Sequence, residues 1–121
     1  MSKRDIVHIE IPAAKSADAA SFYGDLFGWD IQHDEGFDYT MFSGGNIGGG
    51  FTHVGENNTQ VGDVLVYIGS DDIEADLKAI AAKGGSVVMP KMEIEGIGWF
   101  AVFKDPTGNT LALYTAMNPA S

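Results

Sequence analysis

The sequence predicts an α+β fold: two βαβββ modules forming a curved, mixed eight-stranded sheet around a cavity, with the helices outside. Three observations carry this expectation. Residues 5–11 alternate as a strand and precede an amphipathic helix that stops at Gly28. Residues 63–68 form a second strand pattern, and an amphipathic helix after it stops at Gly84-Gly85. Each helix leads into three more strand-like runs, so one unit of half the chain length is used twice.

In the first strand, Val7, Ile9 and Ile11 alternate with Ile6, His8 and Glu10, and Pro12 is expected to end ladder donation. Ser16 or Asp18 can cap the next helix, whose apolar stripe is Ala19, Phe22, Tyr23, Leu26 and Phe27. Gly28 is its C-terminal stop. Runs over 29–32, 39–42 and 47–53 complete module one, separated by turn signals at Gly36 and Gly44-Gly45. The polar stretch 56–62 connects the modules.

In module two, Asp71, Asp72 and Glu74 sit at the start of the helix and Lys83 at its end, which suits the macrodipole. Its buried stripe is Ile73, Leu77, Ile80 and Ala81. Strands are expected over 86–89, 99–103 and 110–115, with 104–109 as a turn in which Pro106 fixes φ and Gly108 supplies positive φ. Residues 118–121 read as a loose tail. The boundaries are about 5–54 for module one and 63–115 for module two, within a single domain over 1–121.

The 121 residues include 17 acidic and seven basic ones, for a formal charge of −10. That balance argues against nucleic acid and against an anionic membrane surface, because phosphate recognition needs Lys and Arg. It is compatible with a cationic small ligand, although acidity also serves solubility alone. There is no cysteine, hence no disulfide framework, Cys-type zinc cluster or thiol nucleophile. Met1-Ser-Lys-Arg-Asp5 is not followed by an apolar stretch, so no secretory signal is expected, and no run approaches a membrane span. The expected location is cytoplasmic.

At this point the residues resemble a known family. His8 leading to Phe22-Tyr23, then Leu26-Phe27-Gly28-Trp29, is one mark; Lys83-Gly84-Gly85 is another. The most specific is the Asp105-Pro106-Thr107-Gly108-Asn109 turn before Leu111-Ala112-Leu113-Tyr114. Over essentially the whole chain this is similar to the vicinal oxygen chelate superfamily, which includes glyoxalase I, extradiol dioxygenases and bleomycin-resistance proteins. The resemblance implies that fold, a homodimer and, in the enzymes, a divalent metal held by His and Glu from the first and last strands of each module. It does not fix the chemistry, because one fold hosts several.

Counted from the landmarks, the four implied ligand positions fall on His8, near Gly50, on Leu65 and on Ala112. Three of the four lack a donor, and a single histidine does not hold a catalytic metal. The expectation is therefore no metal ligands of the usual set and no cofactor, with a divalent metal remaining only if another ligand set exists.

His8 and Glu10 are two apart on a strand, so they share a face. Glu10 could be a general base or a hook for a cationic or hydroxyl-bearing ligand, oriented by His8. The alternative is a hydrogen-bonded polar pair with no further role. Tyr67 stands at the module-two position equivalent to Glu10, and Tyr114 shares a face with Ala112. With Trp99, whose parity the sequence does not fix, they are expected to line an aromatic pocket. The candidate ligand-binding residues are thus His8, Glu10, Tyr67, Trp99 and Tyr114, with His8 and Glu10 as catalytic candidates. His33 and His53 read as surface or packing histidines. The Gly45–Gly50 run lacks the Lys-Ser/Thr of a phosphate loop and reads as a strand edge with close backbone approach.

Three functions follow. The first is a small-molecule-binding protein of the bleomycin-resistance kind, without the metal, for a cationic or aromatic ligand. The second is a glyoxalase-type lyase or isomerase, related to lactoylglutathione lyase or the dioxygenases, using His8 and Glu10. The third is a non-catalytic interaction module.

Overall fold

The computed structural model describes residues 4–56 and 59–117. Eight strands and two helices follow in the order β1 (Ile6–Ala13), α1 (Ser16–Phe27), β2 (Asp30–Asp34), β3 (Tyr39–Ser43), β4 (Gly48–His53), β5 (Leu65–Gly69), α2 (Ile73–Ala82), β6 (Ser86–Ile94), β7 (Gly98–Lys104) and β8 (Thr110–Ala116). They make an open, mixed eight-stranded sheet in the order β2-β3-β4-β1-β5-β8-β7-β6. The chain divides into two compact units, residues 8–65 and residues 66–121 with 1–7. The short segment 4–7 thus groups with the later unit, where Asp5 O accepts from Gly69 N and Arg4 pairs with Asp76. The tail expected over 118–121, and Asn57-Asn58 of the connector, lie outside the described residues.

In the unit 8–65, β1 runs parallel to β4, while β2–β3 and β3–β4 are antiparallel. β1 does not stop at Pro12: Pro12 and Ala13 stay in register with Thr52 and His53. A proline removes its own donor but keeps its carbonyl, so a strand can pass through it. The core is Ala13, Phe42 and Phe51, against which Ile11, Ala19, Ala20, Tyr23, Trp29 and Ile31 pack. Phe51 is fully buried, and the Tyr23, Trp29, Phe42 and Phe51 rings pack at centroid separations of 4.6–5.8 Å.

The first helix departs from expectation at both its cap and its stripe. The N-cap is Lys15 and no side chain caps it; Lys15 O takes the Asp18 and Ala19 N–H groups instead. Only Ala19, Ala20 and Tyr23 reach the core, whereas Phe22, Leu26 and Phe27 are 55%, 62% and 60% exposed. The small alanines bring one narrow edge of the helix onto the sheet, which turns Phe22 and Leu26 outward. The C-terminus ends as expected, with Gly28 at φ +72°.

In the later unit, β5 is parallel to β8, and β6–β7 and β7–β8 are antiparallel. Asp72 caps α2 by accepting from Ala75 N. Ile73, Ala101, Phe103 and Leu113 form the core, with Ile68, Leu77, Ile80, Trp99 and Leu111 against it, while Ala81 is exposed. β6 is far longer than the expected 86–89. It continues through Pro90 to Ile94 by register shifts between Val87 and Met89 and between Met89 and Met92. β6 lies at the end of the strand order, where a proline costs no ladder bond on its open side. In the turn before β8, Asp105 Oδ1 accepts from Gly108 N and Asn109 N at 2.9 Å. No described helix is long and apolar enough to cross a membrane.

Candidate functional site

The core of the unit 8–65 fixes which face each β1 residue presents. Ile11 and Ala13 pack on the α1 side, so His8, Glu10 and Pro12 point to the opposite, helix-free face. On β4 the same parity puts Phe51 under α1 and Gly50 on the helix-free face, with Gly50 in register with Glu10. On β3, Phe42 faces α1, and Tyr39 and Met41 face away.

Three of these side chains meet. The Tyr39 hydroxyl donates to Glu10 Oε2 at 2.9 Å, and its oxygen lies 3.0 Å from His8 Nε2. Tyrosine has one hydroxyl proton, and Glu10 receives it. His8 Nε2 must therefore carry a proton and donate to Tyr39, which fixes the imidazole tautomer. The two rings lie 27° from parallel at 6.3 Å. Burial pushes the His8 pKa below the usual histidine value, against a smaller upward pull from Glu10. With its pKa so lowered, the His8 imidazole is neutral at neutral pH.

Tyr39 reaches this place because position 50 is glycine. Met41, not Tyr39, is the register partner of Gly50, so Tyr39 lies on the diagonal and its ring swings across the Gly50 Cα. A Cβ on Gly50 would fall within that ring, against Cζ, Cε2 and Oη. The neighbouring glycines are tight for other reasons: a Cβ on Gly49 would run into Ile9 O and the Phe42 ring. This stretch is not the strand edge expected from sequence. β4 is hydrogen-bonded on both sides, by β3 and β1, and the close approach is between paired strands.

In the later unit, Ile68, Ala101, Phe103, Leu111 and Leu113 face α2. Tyr67, Phe100, Val102, Ala112 and Tyr114 take the alternate positions on β5, β7 and β8, with Tyr67 paired to Ala112 and Phe100 to Tyr114. Burial raises the Tyr114 pKa. Trp99 does not join this face. It shares the parity of Ala101 and Phe103, packs on the α2-side core and lies under Lys91 Nζ, 5.2 Å from the ring centroid. Its expected place beside Tyr67 and Tyr114 is corrected accordingly.

His33 on β2 is exposed and His53 on β4 is half-buried. His33 Nδ1 lies 2.9 Å from Thr40 Oγ1, and His53 Nε2 donates to Asp38 O at 2.9 Å. Tyr39 was not among the residues the sequence singled out. The signal was a glycine on an inner strand facing an aromatic residue across the ladder, and it needs the β3–β4 register, which one sequence does not supply.

With the fold and this face in view, comparison with known proteins decides the family. Residues 5–113 match the model of the Glyoxalase/Bleomycin resistance protein/Dioxygenase superfamily. The chain belongs to that superfamily. It is 35% identical over 115 residues to the anthracycline biosynthesis protein DnrV of Streptomyces peucetius, covering 81% of this chain and 42% of that one. It is 27% identical over 123 residues to the putative glyoxylase CFP32 of Mycobacterium bovis, covering 89% of this chain and 44% of that protein. The chain thus spans less than half the length of the curated relatives it matches. Among solved structures, methylmalonyl-CoA epimerase of Streptomyces coelicolor, in complex with 2-nitronate-propionyl-CoA, superposes with a TM-score of 0.71 at 19% identity, covering 96% of this chain and 99% of that one. The hypothetical protein BH1468 of Bacillus halodurans gives 0.74 at 10% identity, with 99% of each chain covered. At these identities the structures bear on the fold alone.

Proposed function

We propose that this chain binds a small aromatic molecule carrying a positive charge, with the His8–Tyr39–Glu10 cluster as the polar anchor. The observation that carries the reading is the cluster itself: a carboxylate held by a phenol beside a neutral histidine, on the helix-free face of its unit. The charge of that unit supports it. Residues 8–65 hold nine Asp and Glu and a single Lys or Arg, Lys15. A cluster of net negative charge in so acidic a unit attracts cations and disfavours carboxylates. The curated relatives named for anthracycline biosynthesis make a polycyclic aromatic the first class to test.

The reading includes no divalent metal on the superfamily's usual ligand positions. Of the four positions, His8 alone offers a donor side chain; Gly50 lies under Tyr39, and Leu65 and Ala112 offer only carbon. No group of three or more His, Cys, Asp or Glu among the described residues is placed to hold an ion. A homodimer and a cytoplasmic location belong to the same proposal.

A glyoxalase-type lyase or isomerase is the second reading, favoured by the relatives named putative glyoxylases and by Glu10, a carboxylate positioned to take a proton. Fluorescence titration with an amino-sugar anthracycline, its N-acetylated form and its uncharged aglycone separates the readings. Tighter binding of the charged form, weakened in Glu10→Gln and accompanied by no turnover, is expected. Equal binding of all three forms, or none, refutes the cationic ligand; product formation moves the assignment to the second reading.

A further inference from the structure

We propose that Tyr39 is the specificity-determining residue of the His8–Glu10 face: it fills the space a side chain at position 50 would need, and it ties His8 and Glu10 into one anchor for a protonated amine, which excludes a divalent metal ion from the same place. The inference rests on the reading of this face as the ligand site.

Positions 8, 10 and 50 are neighbours on one face of two paired strands, since Glu10 is in register with Gly50 and His8 is two residues before Glu10. Nitrogen or oxygen donors at all three would converge on a point that a metal ion could occupy. Tyr39 prevents it in three ways. Its ring lies where the Cβ of residue 50 would be, so the ring and a side chain at 50 exclude each other. Its hydroxyl occupies Glu10 Oε2. Its oxygen also accepts the hydrogen bond from the proton held on His8 Nε2, so that nitrogen presents no lone pair to a metal.

What remains is one negative charge spread over a hydrogen-bonded cluster, with carboxylate lone pairs as acceptors. A dication needs several donors stripped of protons. An ammonium group needs only a carboxylate to accept its N–H bonds, and gains from the surplus of carboxylates in this unit. Glycine at 50 and tyrosine at 39 are therefore one determinant built from two positions.

The test is a double-mutant cycle read by thermal melts, then metal and ligand additions. Gly50→Ala is expected to lower Tm by several degrees with Tyr39 present and to have little effect in Tyr39→Ala, where the added methyl has room. An equal drop in both backgrounds overturns the steric exclusion. Ni²⁺ alone is expected to leave wild type unshifted and to raise the Tm of Tyr39→Ala/Gly50→Glu, with the gain lost on adding His8→Ala. A His8-dependent shift of wild type by Ni²⁺ overturns the proposal. For an amino-sugar anthracycline, Tyr39→Phe is expected to weaken binding about tenfold, while its N-acetylated form changes little; equal losses for the two forms overturn the amine anchor. If wild type binds neither form, the proposed ligand and the amine anchor fall together, while the melts and the Ni²⁺ shifts still decide the exclusion at position 50.

Discussion

Replacing Tyr39 by Phe removes one oxygen atom and leaves the ring over Gly50, so it isolates the hydroxyl from the packing. Two contacts are lost, to Glu10 Oε2 at 2.9 Å and to His8 Nε2 at 3.0 Å. A hydrogen bond to a charged group contributes about 1.5–3 kcal/mol to stability and a neutral one about 0.5–1.5 kcal/mol. All three residues are only partly buried, so water can replace some of what is lost. The expected net cost is about 1–2 kcal/mol, at and below the lower end of those combined values because water replaces part of the loss. Urea unfolding of the two proteins under identical conditions measures it. Nitrogen NMR of the His8 ring tests the cause: wild type should hold the proton on Nε2, and the variant should release that preference. Finding the wild-type proton on Nδ1, or a stability change below about 0.3 kcal/mol, would refute the reasoning, since either means that the hydroxyl does not bridge the pair.

Other consequences are open to direct measurement. Phe51→Ala should cost about 3–5 kcal/mol in chemical denaturation, because the side chain is fully buried and packed against the Tyr23 and Phe42 rings. Burial depresses the His8 pKa, so the unfolded chain binds the proton first on acidification. This contribution is fully present above the unfolded value of about 6.5 and is lost as pH falls from there through the folded pKa. The stability of His8→Asn should show a flatter pH dependence in that interval, and parallel curves would contradict it. The backbone N–H of Asn109 lowers the Asp105 pKa; burial opposes it, and the Asn109 side chain and the Gly108 and Thr107 N–H groups add to the lowering. A depressed carboxyl stabilises above its unfolded pKa of about 3.9 and loses that contribution as pH falls through the folded value. Asp105→Ala should therefore narrow its stability gap to wild type on acidification, read as the difference in Tm between pH 6 and pH 3.

The repeat was legible because it rests on periodicity and punctuation. Residues 6, 8 and 10 against 7, 9 and 11 fixed the face of β1, and Gly28 and Gly84 marked the helix ends. The cluster was only half legible. His8 and Glu10 share a strand, so spacing alone puts them together, whereas Tyr39 arrives from another strand by a diagonal that depends on register. Trp99 failed for a related reason: its parity depended on where β7 begins, and the strand starts at Gly98 with Trp99 toward α2. Phe22, Leu26 and Phe27 misled because helical spacing finds an apolar stripe without saying how much of it the sheet covers.

β6 has a further meaning for how the molecule meets others. A terminal strand exposes unpaired donors and acceptors, and a regular one is a template on which another chain can lengthen the sheet. Here Pro90 deletes a donor midway, and two register shifts break the even spacing that an incoming strand would have to match. Lys91 adds a charge beside the proline. Pro90, the register shifts and Lys91 therefore disfavour growth of the sheet by strand addition at this border.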